Sequence, residues 1–253
     1  MKMLMIGEVE RYLMEKIRMN GAIHITLIDP DKREIDFIKK IMEAKIAGTT
    51  AIMIGGSVGI SEKMLDELIL NIKKKVELPI ILFPGNVTGI SKYADAIWFM
   101  SLLNSSNTYY IIDAQAQGSL IIKRYGLEAI PMGYIIVGEG GAAGYIGQAR
   151  RIPYDHPEIV AMYALAGELL GMRFIYLEAG SGADKPIPVD LIRFVKKVCS
   201  VPLIVGGGIK NAEQAKTAVK AGANVIVTGT MIEQEDVINS VGSIVNAIKE
   251  VNT

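Results

Sequence analysis

The sequence predicts an α/β fold: a (β/α)8 barrel of the TIM type, a single domain over residues 1–253 that lacks its third barrel helix. Three observations lead there. The chain has 253 residues, and one such barrel commonly runs to about 250. Near-continuous apolar runs recur along it, as expected for strands buried on both faces. Amphipathic helical patterns separate most of them, the alternation that builds a parallel sheet.

The first strand candidate is AIHITLID (22–29), followed by a helical pattern over 33–47. AIMIGG (51–56) is second, with a helix over 61–75. PIILFPG (79–85) is third and AIWFMSLLN (96–104) fourth. Only NVTGISKYAD (86–95) lies between those two. A parallel crossover usually needs a dozen or more residues, mostly helix, and this segment is turn-like and carries Gly89. A short strap is therefore expected in place of the third helix, leaving one flank of the barrel uncovered. A helix over 108–124 precedes the fifth strand, AIPMGYIIV (129–137). The stretch VGEGGAAGYIGQARRIPYDHP (137–157) is rich in glycine and has no helical period. It reads as a long mobile loop on the face where barrel active sites lie. Arg150 and Arg151 within it are either solvated charges or anion contacts. A helix over 157–171 leads to FIYLEAG (174–180), and one over 188–199 to PLIVGGG (202–208). A helix over 211–221 leads to NVIVTGT (224–230), and a last one covers 235–250.

Charges balance, 27 basic against 27 acidic, without a basic block, so no nucleic-acid partner is expected. The single cysteine, Cys199, excludes an internal disulfide and suits a reducing, cytoplasmic compartment. Near the end of a helix, it is expected to be buried and inert. No stretch approaches the ~20 uninterrupted apolar residues of a membrane span. The start, MKMLMIGEVERYL, has early charges and no small-residue cleavage site, so no signal peptide is expected. Mean hydropathy is nonetheless +0.32. A large parallel sheet, an oligomer interface or a greasy substrate channel would each account for it.

Three glycine clusters follow the late strands: GSG (180–182), GGG (206–208) and GT (229–230). Glycine lets backbone amides approach an anion closely, and the loops after strands seven and eight of such barrels frequently bind phosphate. The plain alternative is that these glycines only make tight turns. Ser181 and Thr230 favour the anion, each adding a hydroxyl beside the amides. A phosphomonoester is expected among Ser181, Gly207, Gly208, Gly229 and Thr230.

Alternate residues of a strand share a face, so Phe174, Tyr176 and Glu178 point the same way. An acid at the C-terminal end of a barrel strand stands in the catalytic position. Burial would raise its pKa and suit it to act as a base. A structural ion pair is the alternative. Asp29 shares parity with Ile23, Ile25 and Leu27 and belongs at the mouth. With Ser57 after the second strand it would suit Mg2+, which takes few protein oxygens and keeps waters and substrate phosphates. Asp29 is equally placed to cap a helix, while Asp31 and Lys32 read as first-turn helix residues. His24 has the opposite parity and reads as structural, and His156 as exposed. Neither a zinc cluster nor a Ser–His–acid set is evident.

LIDPDK, GGSVG, FMSLLN, IPMGYIIV, YLEAGSGA, VGGGI and TGT stand in the order found in geranylgeranylglyceryl phosphate synthases. The chain resembles that family over about residues 20–235. The resemblance implies transfer of the geranylgeranyl group of geranylgeranyl diphosphate to the 3-hydroxyl of sn-glycerol 1-phosphate, releasing diphosphate. This makes the first ether bond of archaeal membrane lipids. Asp29 and Ser57 resemble the magnesium positions. Tyr176, Leu177, Glu178, Ala179, Gly180, Ser181 and Gly182, with Gly207, Gly208, Gly229 and Thr230, resemble the glycerol phosphate cradle. Glu178 resembles the acid that contacts the attacking hydroxyl, with Tyr176 beside it. LIDPDK and IPMGYIIV look like the branch found as larger oligomers, which implies a homo-oligomer built on dimers, up to a hexamer. Membrane contact, if any, would be transient.

The lipid tail needs a dry groove, and the uncovered flank by strands three and four is the natural place. Trp98, Phe99, Tyr109 and Tyr110 are the aromatics there, each otherwise a core residue. Rival readings are the same chemistry with another prenyl donor such as heptaprenyl diphosphate, an isomerase or lyase on a phosphate-binding barrel, and a silent barrel that binds a phosphometabolite.

Overall fold

The computed structural model describes residues 6–32, 36–56 and 61–251. Eight parallel strands close into a barrel in chain order. They are β1 (Ile23–Ile28), β2 (Ala51–Ile54), β3 (Ile80–Leu82), β4 (Ala96–Leu102), β5 (Glu128–Ile136), β6 (Phe174–Glu178), β7 (Leu203–Gly206) and β8 (Val225–Thr228). Each expected strand exists, but most end a residue or two early, several of them where glycine or an acid replaces the apolar run. β1 pairs with β8 through Ile23–Val225 and Thr26–Thr228, closing the ring.

The strands' two faces build two cores. Inward residues such as Ile25, Met53, Trp98, Met132, Phe174 and Tyr176 fill the barrel. Outward residues such as Ile52, Ile135, Ile175, Leu177 and Val205 meet the surrounding helices. A fully buried side chain of this size contributes about 1.5–3 kcal/mol, so the near-continuous apolar runs are a consequence of burial on both sides.

The helices are α1 (Glu8–Asn20), α2 (Phe37–Ile46), α3 (Glu62–Lys73), α4 (Ala114–Tyr125), α5 (Gly141–Ile146), α6 (Pro157–Leu169), α7 (Val189–Val198), α8 (Ala212–Lys220) and α9 (Val237–Lys249). Four start at side-chain caps: Asp36, Ser61, Asn211 and Asp236 each accept a backbone N–H from three residues on. Cys199 ends α7, is buried, and has its thiol pushed up to about 11 by burial, which leaves it inert.

No helix lies between β3 and β4, as the short spacing predicts. Pro84, Gly85 and an Asn86 turn, whose Oδ1 accepts the Thr88 amide at 2.9 Å, prevent one. The strap instead buries Ile90 against the barrel flank.

The structure adds one element and corrects two expectations. A helix precedes the first strand: α1 buries Val9, Leu13 and Ile17 against the inward core and plugs the N-terminal end. The 137–157 segment contains α5 and is tied down rather than loose. Asn104 donates to the carbonyls of Ile136 and Arg150, and Ser105 to that of Gly147. Asp31 and Lys32 do not start a helix, since α2 begins at Phe37 under the Asp36 cap.

Candidate functional site

Two adjoining cavities open at the C-terminal ends of the strands. The smaller, about 50 Å³, is walled by Tyr176, Glu178, Ser181, Gly182, Gly207 and Gly208 on one side and by Gly229 and Thr230 on the other. The larger, about 460 Å³, holds Asp29, Glu178, Ser181 and Gly229 at one end. It runs on between the strap, β4 and α4, past Phe83, Ile90, Phe99, Gly118 and Ile122. Leu27, Glu178, Ser181 and Gly229 border both. Thus one carboxylate stands where a small polar cup meets a long apolar groove.

Glu178 ends β6, paired with Ile136 of β5 and Gly206 of β7. Its Oε1 accepts the Gly180 amide at 2.6 Å, and no cation pairs with it among the described residues. The ion-pair alternative therefore falls away. Burial raises its pKa above the ordinary carboxylate value, and the Gly180 amide opposes that rise. Tyr176 lies one layer deeper. Burial, and then the Glu178 charge, hold its hydroxyl well above the usual phenol value, so it stays neutral. That hydroxyl is buried, with the Glu178 carboxylate close by and no well-formed hydrogen bond. Buried polar groups are rarely left so, and this one borders the small cup.

Glycine makes the room. A Cβ on Gly206 would lie 2.1 Å from the Tyr176 hydroxyl. One on Gly207 would lie 2.4 Å from Glu178 Oε1, and its φ of +79° disfavours any other residue. These glycines at the end of β7 are needed to seat Tyr176 and Glu178, beyond any turn they make.

Rings wall the upper barrel. Phe83 stacks on Tyr176 at 5.6 Å, and Tyr134 meets both edge-on, at 5.4 and 5.3 Å. Sequence reasoning missed Phe83 and Tyr134, although each has the inward parity of its strand.

Of the expected cradle residues, Leu177, Ala179 and Gly180 do not border the cup. Leu177 and Ala179 face the helical layer, as their parity requires. Gly180 supplies its amide to Glu178 and packs on Gly140 and Gly141 at the start of α5. Asp29 borders the groove, and its Oδ1 accepts the Asp31 amide at 3.1 Å. It caps no helix, because Asp36 does. Ser57 lies outside the described residues. Arg150 and Arg151 border neither cavity, and Arg151 pairs with exposed Glu139 at 2.7 Å. Trp98 is mainly core: it is buried, meets Phe174 edge-on, and bonds Met53 Sδ at 3.1 Å. Tyr110 lines the groove and Tyr109 does not. His24 is buried outside the barrel between the hydroxyls of Thr49 and Thr228, at 3.0 and 2.9 Å. Its pKa, lowered to about 3 by burial, keeps it neutral. His156 is exposed beside Glu158.

The sequence matches the PcrB family over residues 14–252. It is 53% identical over 248 residues to the geranylgeranylglyceryl phosphate synthase of Thermofilum pendens, with 97% of each chain covered. The synthase of Pyrococcus abyssi is 52% identical over 232 residues, with 91% and 92% covered. Among solved structures, (S)-3-O-geranylgeranylglyceryl phosphate synthase from Thermoplasma acidophilum, in complex with its substrate sn-glycerol-1-phosphate, superposes with a TM-score of 0.92. It is 41% identical and covers 98% of this chain and 100% of its own.

Proposed function

The chain belongs to the PcrB family, with geranylgeranylglyceryl phosphate synthases as its relatives, and we propose that it performs their prenyl transfer with the residues described above. The geranylgeranyl group of geranylgeranyl diphosphate passes to the 3-hydroxyl of sn-glycerol 1-phosphate. One observation carries this reading: a small cup bordered by glycines and by Ser181 and Thr230 opens, past Glu178, into a long, mainly apolar groove. An isomerase or lyase of small phosphometabolites has no use for the groove.

In this reading the backbone amides around Gly207, Gly208 and Gly229 hold the phosphate, with Ser181 and Thr230. Tyr176 donates its buried hydroxyl to the bound glycerol phosphate. Glu178 accepts a hydrogen bond from the substrate hydroxyl. That hydroxyl oxygen bonds to the allylic carbon, the carbon–oxygen bond to diphosphate breaks with its electron pair leaving on diphosphate, and the proton passes to Glu178. Holding both reactants in register is worth up to about 7–11 kcal/mol of barrier. Phe83 and Tyr134 keep water from the reacting carbon.

The donor set suits Mg2+ at Asp29, with Ser57 as a further ligand. Among the described residues no three His, Cys, Asp or Glu side chains converge. One carboxylate completed by waters and substrate phosphates is a common magnesium arrangement. When bound there, the ion would neutralise charge on the departing diphosphate.

No helix among the described residues is long and apolar enough to cross a membrane. α6 leaves Met162, Leu165 and Leu169 exposed, which supports a homo-oligomer.

The test is diphosphate release from geranylgeranyl diphosphate with and without sn-glycerol 1-phosphate, and with and without Mg2+. Release only with all three supports the proposal. Release independent of glycerol phosphate, or none, rejects it.

A further inference from the structure

Among the described residues that border the groove, Lys32 is the only one with a cationic side chain. It follows Asp29 in a tight turn, in which the Lys32 amide donates to the Asp29 carbonyl at 3.1 Å. Its ammonium donates to Glu233, the last residue of a 3₁₀ turn (Thr230–Glu233) after β8. Glu233 also borders the groove, and neither residue borders the small cup. The pair therefore faces the donor's compartment and not the glycerol phosphate cradle.

The charges there are out of balance for an anionic donor. Asp29, Glu178 and Glu233 all border the groove. A diphosphate entering beside them carries more negative charge than one divalent ion cancels. The side chains of Lys32 and Glu233 are 40% and 33% exposed, and exposed pairs hold their partners weakly. A charge-assisted bond to a phosphate oxygen in a partly closed site is stronger.

We propose that Lys32 is a diphosphate-binding residue that exchanges Glu233 for the donor's diphosphate when the prenyl substrate enters. This assignment rests on the prenyl-transfer reading. Lys32 balances the charge left on the diphosphate oxygen as the carbon–oxygen bond breaks. Glu233 serves as the counterion of the empty site and competes with the donor.

The experiment is calorimetric titration with inorganic pyrophosphate in the presence of Mg2+, with sn-glycerol 1-phosphate as the control ligand. Wild type is compared with Lys32→Gln, Lys32→Arg and Glu233→Gln. Lys32→Gln should weaken pyrophosphate binding at least about tenfold and leave glycerol phosphate binding unchanged. Lys32→Arg should restore most of it. Glu233→Gln should tighten pyrophosphate binding about two- to fivefold, because it removes the competing charge. Pyrophosphate binding unaltered in Lys32→Gln would overturn the assignment. So would Glu233→Gln weakening it as Lys32→Gln does, since the pair would then be a structural latch. Equal weakening for both ligands in Lys32→Gln would also overturn it, as general damage. Wild type that releases diphosphate while Lys32→Gln binds pyrophosphate normally rejects Lys32 alone. Wild type that neither binds pyrophosphate nor releases it rejects the prenyl-transfer reading too.

Discussion

Glu178 is a carboxylate that folding has made more basic. Burial raises its pKa and the Gly180 amide only partly offsets the rise. In the proposed mechanism the ionised form accepts the substrate's proton, so turnover should fall as pH drops through the raised value. That acid limb should sit above the ordinary carboxylate range in a pH–rate profile. Glu178→Gln keeps an acceptor for Gly180 but cannot take a proton. Turnover should drop by about a hundredfold or more, while glycerol phosphate affinity by titration changes little. Stability should move the other way. A carboxyl with a raised folded-state pKa contributes stability that is complete below its unfolded value and is lost as pH rises through the folded one. Glu178→Gln should therefore melt higher than wild type at neutral pH, the gap closing in acid. Equal melting temperatures across that range would show that burial does not strain the carboxylate. At this scale the sequence was legible through parity alone. Strand period places Phe174, Tyr176 and Glu178 on one face, but not Leu177 or Ala179, which the resemblance alone brought into the cradle. The hollow that Gly206 and Gly207 leave for Tyr176 and Glu178 depends on a neighbouring strand's register, and no local pattern encodes it. Nor does any mark Lys32 as facing a cavity.

The strap and α4 form the groove between them, and each supplies what the other needs. The strap is too short to cover the flank, and Gly118 lets α4 come close without filling the space. A Cβ there would stand 3.2 Å from Ile90 Cδ1 and 3.8 Å from Ile122 Cδ1. Gly118→Leu should therefore block the groove partway while leaving the helix intact, since leucine forms helix better than glycine. The expected outcome is a preference shifted from the geranylgeranyl to shorter prenyl diphosphates, read from kcat/KM across a donor series, with glycerol phosphate binding unchanged. An unaltered donor ranking would move the tail out of this groove. The strap itself was readable because ten residues (86–95) cannot hold a crossover helix. Two helices were not. α5 is a single turn and a half of glycine, alanine, tyrosine and isoleucine, held by tertiary bonds and not by an apolar stripe. α1 does carry the helical period at Val9, Leu13 and Ile17, but nothing in strand–helix alternation calls for a helix before the first strand.

Across the whole molecule, stability and chemistry occupy opposite ends of one barrel. α1 seals the bottom. Glu128, at the start of β5, accepts the amides of Val9 and Glu10 at 2.9 and 2.8 Å, capping the helix from across the chain. Arg173, just before β6, grips buried Glu10 through two bonds, at 2.5 and 2.6 Å. None of these residues borders either cavity. In barrels of this kind the top face carries function and the bottom face stability. The division is testable with Leu13, which is fully buried in the plug. Leu13→Ala removes three carbons from a packed interior and should cost about 2–5 kcal/mol in denaturant unfolding. The mutant, at temperatures where it is folded, should keep the wild-type KM for both substrates. A large change in either KM would mean that the plug sets the geometry of the mouth through the stacked layers of Phe174, Tyr176 and Phe83, and that the two ends are coupled through the aromatic core.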